Sequence, residues 1–121
     1  MTTVLFVEDH PELCAIHTLF LQKNGYRVLT VMDGPGALVA ARQYLPDVIV
    51  LDHSLPGLTG VEVARELKAD PSTARIPILM MTAHAYGAIG RKARAAGCAT
   101  FVAKPCQPSR LLEEVRRFAP T

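Results

Sequence analysis

Short apolar runs alternate with amphipathic stretches along the whole chain, and this pattern predicts a repeating strand–helix series. Val4–Val7 reads as a β-rich strand. From Pro11 to Asn24, Leu13, Ile16, His17 and Phe20 recur at helical spacing, with Pro11 suited to the first turn and Gly25 to the stop. Arg27–Val31 is a second predicted strand, and Asp33-Gly34-Pro35 opens a second helix that should run to about Tyr44, before Pro46. Asp47–Leu51 is apolar on both faces, as a strand covered on both sides must be. Gly60–Lys68 carries Val61, Val63, Ala64 and Leu67 on a third helix, and Ile76–Met81 is another buried strand. A fourth helix is predicted near Tyr86–Ala96, ended by Gly97. Ala99–Ala103 is a fifth strand, and Pro108–Phe118 a fifth helix with Leu111, Leu112 and Val115 inward.

Five strands alternating with five helices imply an α/β fold with parallel pairing and right-handed crossovers. Linkers, repeats and low-complexity segments are missing from the sequence, so residues 1–121 are expected to form one domain. Half the residues are apolar (50%) and a fifth charged (20%), enough for one real core and a solvated surface.

Mean hydropathy is +0.21, yet no apolar run approaches the ~18 residues of a membrane span. The start, Met1-Thr2-Thr3-Val4, lacks the basic region and cleavage site of a signal peptide, so a cytoplasmic location without membrane attachment is expected. Cys14, Cys98 and Cys106 are odd in number and show no paired spacing, so all three are expected to be reduced. The net charge of +2 hides an asymmetry: residues 1–85 hold 6 basic and 9 acidic side chains, residues 86–121 hold 7 and 2. A basic final third suits an acidic partner surface, or is an ordinary solvated helix face. Its basic residues are not interleaved with stacking aromatics, and direct nucleic-acid binding is not expected.

Open α/β sheets bind ligands beyond the carboxyl ends of their strands. Here those ends carry Glu8-Asp9, Asp52, Thr82 and Lys104-Pro105. If the first and third strands are neighbours, three carboxylates converge in one cleft and need compensation. A hard divalent cation with retained waters can supply it, and so can the ammonium of Lys104. Such a cleft, with the Thr82 hydroxyl as donor, suits a phosphoryl group, and a carboxylate attacking phosphorus forms a short-lived acyl phosphate. Taken singly, each residue has a plainer reading. Asp9 could sit at a helix N-terminus, Asp52 could make an Asx turn before Pro56, Thr82 could cap a helix, and Lys104 could be a surface lysine.

In order and spacing, the set resembles the receiver domains of bacterial two-component systems over nearly the whole chain. Glu8-Asp9 is similar to the acidic metal-binding pair, and Asp52, after Val48-Ile49-Val50-Leu51, to the phosphoacceptor. Leu55-Pro56-Gly57 with Gly60 matches the following loop, Thr82-Ala83 the hydroxyl position, Lys104-Pro105 the lysine with its usually cis proline, and Phe101 the switch aromatic. The resemblance implies a flavodoxin-like (βα)5 sandwich, doubly wound, with sheet order 2-1-3-4-5. It implies Mg²⁺ or Mn²⁺ bound by Asp9, Asp52 and the backbone carbonyl of Ser54, with Glu8 acting mainly through water. The phosphoryl donor would be a sensor histidine kinase or a histidine phosphotransfer protein. A downstream protein target would meet the face made by the fourth helix, fifth strand and fifth helix, switched through Thr82 and Phe101. The domain would be no enzyme beyond assisting its own phosphorylation and dephosphorylation.

Three positions depart from the usual pattern: Cys106 replaces a common aromatic after Lys-Pro, His53 follows Asp52, and His84 lies two residues past Thr82. Either histidine is a bystander or, at the His84 position beside the attacking water, a tuner of phosphoryl lifetime. Competing functions are a docking module that has lost signalling, or a receiver excised from a hybrid kinase or longer regulator. An aspartate-nucleophile phosphatase would need a second aspartate where Ser54 stands, and a flavodoxin-type cofactor binder would need a phosphate loop after the first strand.

Overall fold

A computed structural model describes residues 1–83 and 87–120. In chain order the elements are β1 (Thr3–Val7), α1 (Pro11–Lys23), β2 (Arg27–Val31), α2 (Gly34–Tyr44), β3 (Val48–Asp52), α3 (Gly60–Ala69), β4 (Ile78–Thr82), α4 (Ala88–Ala95), β5 (Thr100–Ala103) and α5 (Pro108–Phe118). The five strands form one parallel sheet in the order β2-β1-β3-β4-β5.

The period-2 geometry of each strand builds two cores from one sheet. Leu5, Val7, Ile49, Leu51, Ile78 and Met80 face one way and pack with Ala37, Ala41, Val63, Leu67 and Ala93 of α2, α3 and α4. Val4, Phe6, Val48, Val50, Leu79 and Met81 face the other way, against Leu21 of α1 and Leu111 and Val115 of α5. The central strands β3 and β4 are buried along their full length, which explains their unbroken apolar runs. Burying each large aliphatic side chain contributes about 1.5–3 kcal/mol, so this layered core is the main source of stability.

Caps mark where helices start. The Asp33 side chain accepts from Gly36 N at 2.6 Å, and Thr59 forms a reciprocal capping box with Glu62 that begins α3. α4 starts at Ala88, so Gly87 (φ 91°) precedes the helix as its cap and is not an interior residue. The helix also starts later than its predicted position near Tyr86, which lies outside the described residues.

α1 differs from its expected inward face. His17 and Leu21 are buried, whereas Leu13 and Ile16 are 38% and 52% exposed. Apolar residues run around more than half of this helix, so spacing alone does not select the inward stripe; a narrow i, i+4 pair suffices against the sheet. All three cysteines are free.

Candidate functional site

β1, β3, β4 and β5 end side by side, and backbone hydrogen bonds fix those ends. Glu8 N donates to Val31 O (3.0 Å), His53 N to Met81 O (3.0 Å) and Lys104 N to Thr82 O (2.9 Å). Because β1 and β3 are neighbours, ligand oxygens of Glu8, Asp9 and Asp52 lie within 4.8 Å of one another. Glu8 and Asp52 are buried, and Asp9 is exposed at the rim.

The Asp52 carboxylate is oriented at both oxygens. Ser54 N donates to Oδ1 at 3.1 Å, and Lys104 Nζ donates to Oδ2 at 2.8 Å. The same ammonium stands 4.0 Å from Glu8 Oε2. The Lys104-Pro105 peptide bond is cis. Gly60 allows the turn after Asp52 to close. A Cβ there would lie 2.8 Å from Asp52 O, His53 Cα and Met80 Sδ, and Gly60 N donates to His53 O at 2.9 Å.

Burial and the crowding of like charge both act on Glu8. Burial is the largest cause, reinforced by its hydrogen bond to Asp52 and the charges of Asp52 and Asp9, and it raises the Glu8 pKa to about 8 against the pull of Lys104. Lys104 is shifted upward: burial favours its neutral form, but the hydrogen bond and charge of Asp52, with Glu8 and Asp9, outweigh it. Glu8 Oε2 is buried without a hydrogen-bond partner. Clustered carboxylate oxygens with such an orphaned acceptor fit a small hard divalent cation such as Mg²⁺.

Thr82 is buried at the end of β4 and lies opposite Ala103 in the β4–β5 register. Phe101, two residues before Ala103 and opposite Met80, therefore faces the same side of the sheet as Thr82. Its ring is half-buried against the core shared with α3 and α4. The structure thus brings Glu8, Asp9, Asp52, Ser54, Thr82 and Lys104 to one end of the sheet, with Phe101 one step behind. His84 lies outside the described residues. His53 lines a groove of about 240 Å³ with Thr59, Glu62, Arg65, Ile89 and Lys92.

Two features near the site had little sequence signal. His17 packs its ring 5.6 Å from that of Phe6, and burial, then the charge of Lys104, lowers its pKa. A histidine on an inward helical position was its only sign. A largely apolar cavity of about 240 Å³ also opens beside the acidic cluster, lined by Phe6, Leu13, His17, Met81, Pro105 and Cys106. The loop before α5 shapes it, and loop packing has no periodicity to read.

Comparison with known proteins agrees with this geometry. Residues 4–116 match the response regulator receiver domain family. The phosphate regulon transcriptional regulatory protein PhoB of Rhizobium meliloti (strain 1021) is 33% identical over 113 residues, 93% of this chain and 50% of that protein. The polar-differentiation response regulator DivK of Brucella anthropi is 30% identical over 116 residues, 96% of this chain and 94% of DivK. The chain thus spans about half the length of some curated relatives it matches and nearly all of others. Among solved structures, the chemotaxis protein CheY4 of Vibrio cholerae superposes with a TM-score of 0.92 at 31% identity, covering 98% of each chain. The receiver domain of the sensor histidine kinase PA1611 from Pseudomonas aeruginosa PAO1 gives 0.89 at 32% identity, covering 97% of this chain and 96% of that one. It holds a magnesium ion in its active site cleft.

The fold and the strand-end cluster define a phosphorelay signalling module. The chain belongs to the response regulator receiver domain family of two-component signalling.

Proposed function

We propose that residues 1–121 form one receiver domain in which Asp52 accepts a phosphoryl group from a phosphohistidine on a sensor kinase or phosphotransfer protein. The observation that carries this reading is the 2.8 Å contact of Lys104 with Asp52, beside Glu8 and Asp9. An Asp52 oxygen attacks phosphorus while the phosphorus–nitrogen bond to the donor imidazole breaks. The leaving nitrogen keeps the electron pair and takes a proton from solvent.

Lys104 holds Asp52 in position and then balances the charge of the new phosphoryl oxygens. The Thr82 hydroxyl donates to one of those oxygens. Asp9, Asp52 and the Ser54 carbonyl, with Glu8 through water, would hold Mg²⁺ or Mn²⁺, and a cation there would supply further positive charge against the phosphoryl oxygens. Burial of Asp52 limits access of hydrolytic water and favours an oriented donor.

The phosphodonor docks beside α1. Leu13 and Ile16 are exposed there next to the apolar cavity, and an apolar face rimmed by polar residues is a binding surface. Output passes to the face of α4, β5 and α5. Thr82 moves toward the phosphoryl group, and the Phe101 ring follows into the space released. Arg91, Arg94 and Arg110 make this face basic and suit an acidic protein target, whereas Lys92 lines the groove toward α3.

Phosphotransfer profiling against the host's histidine kinases tests the reading. One or a few kinases should label the chain and leave Asp52→Asn unlabelled. Failure of every kinase and phosphotransfer protein to label it would reject the assignment.

A further inference from the structure

The guanidinium of Arg94 lies over the Phe101 ring, with Cζ 5.0 Å from its centroid. Among the described residues Arg94 makes no ion pair, so the ring face is the partner its charge has. The residue that bears it is firmly placed. α4 closes through Gly97 N to Arg94 O at 3.0 Å and Cys98 N to Ala93 O at 3.1 Å, with Gly97 at φ 99°. The rest of α4 is held lightly, because it fully buries only Gly90 and Ala93, the smallest side chains available. A large side chain reaching from α4 onto β5 therefore carries weight in how the two elements move together.

We propose that Arg94 is a positioning residue that latches Phe101 in the resting state and is released when the ring moves inward. The inference rests on the reading of Phe101 as the switch residue, and adds a cost and an output to it. Withdrawal toward Thr82 draws the ring away from the guanidinium, whose backbone is fixed at the end of α4. Withdrawal breaks the contact, which opposes activation. It also frees a cation on the helix face that carries Arg91 three residues earlier, so the activated surface offers an acidic partner one more unpaired guanidinium. The charge is present in both states, and the switch changes its availability.

The test uses the whole chain, with ring-labelled phenylalanine and labelled arginine, titrated with beryllofluoride and Mg²⁺ and followed by NMR. In the parent, the Arg94 side-chain protons should show a ring-current shift that disappears as beryllofluoride binds. Arg94→Gln should reach half-response of the Phe101 ring at about two- to fivefold lower beryllofluoride, the ratio expected for an exposed cation–π contact. Arg94→Lys should fall between the two, since an ammonium keeps part of the attraction. A Phe101 ring that responds equally in all three proteins overturns the latch and leaves the switch reading standing. A ring that ignores beryllofluoride in every protein overturns both. Unaltered thermal unfolding of the variants separates these outcomes from a folding defect.

Discussion

Lys104 Nζ reaches Asp52 Oδ2 at 2.8 Å across the gap between β5 and β3, two strands that are not neighbours in the sheet. β4 lies between them and ends in Thr82, so carboxylate, hydroxyl and cation line up along three consecutive strand ends. Replacing Lys104 by Met removes the charge but keeps the aliphatic stem. The rate of phosphorylation by acetyl phosphate is expected to fall about a hundredfold, the usual cost of losing one stabilising donor. An unchanged rate would show that the contact only holds the resting site together.

Glu8 is expected to couple protonation to metal binding. Burial and neighbouring charge raise its folded pKa to about 8 from the ordinary 4.5, so Mg²⁺ binding at neutral pH is expected to release a proton. Apparent Mg²⁺ affinity should rise between pH 6 and 8, by at most about tenfold per pH unit. Calorimetry in buffers of different ionisation enthalpy measures the released proton directly. A raised carboxyl pKa stabilises the metal-free fold below the unfolded value, and this contribution is lost as pH rises from 4.5 through about 8. Metal-free Glu8→Gln should therefore unfold at a higher temperature than the parent at pH 8.5. Asp9→Ala should abolish Mg²⁺ binding, with Glu8→Ala weakening it less.

His17 gives the opposite dependence. Burial first, and Lys104 second, hold its folded pKa below 6.5, so the fold favours the neutral ring. That contribution is complete above pH 6.5 and is lost as pH falls through the lower folded value. Urea unfolding of the parent and of His17→Leu should diverge as pH drops from 7 to 5, the variant losing less. Parallel curves would mean that His17 titrates alike in the folded and unfolded states, contradicting the downward shift on burial.

Gly60→Ala should destabilise the domain by about 1–3 kcal/mol, the range for overpacking a tight site. The added methyl meets backbone of Asp52 and His53 as well as Met80 Sδ, and backbone cannot swing aside. Urea denaturation measures the loss, and amide shifts of residues 52–54 should move even where the variant stays folded.

The fold was legible because its strands bury both faces and its helices carry strong start and stop signals. β2 and α5 fall on their predicted boundaries, and Asp33 and Thr59 cap as short polar residues do. The candidate site was legible because four strand ends carry acids, a hydroxyl and a lysine in family order. Sequence was silent where the outcome depends on three-dimensional packing: which stripe of α1 turns inward, the pairing of Arg94 with Phe101, and the proton on Glu8. Each arises between elements distant in the chain, and local pattern does not report on it.

The most direct test of the account is intact mass after incubation with acetyl phosphate and Mg²⁺, for the parent and for Asp52→Asn. The parent should gain one phosphoryl group and Asp52→Asn none, with the gain abolished by chelating the metal. A variant that still gains one phosphoryl group at the parent's rate would contradict the assignment of Asp52 as the acceptor.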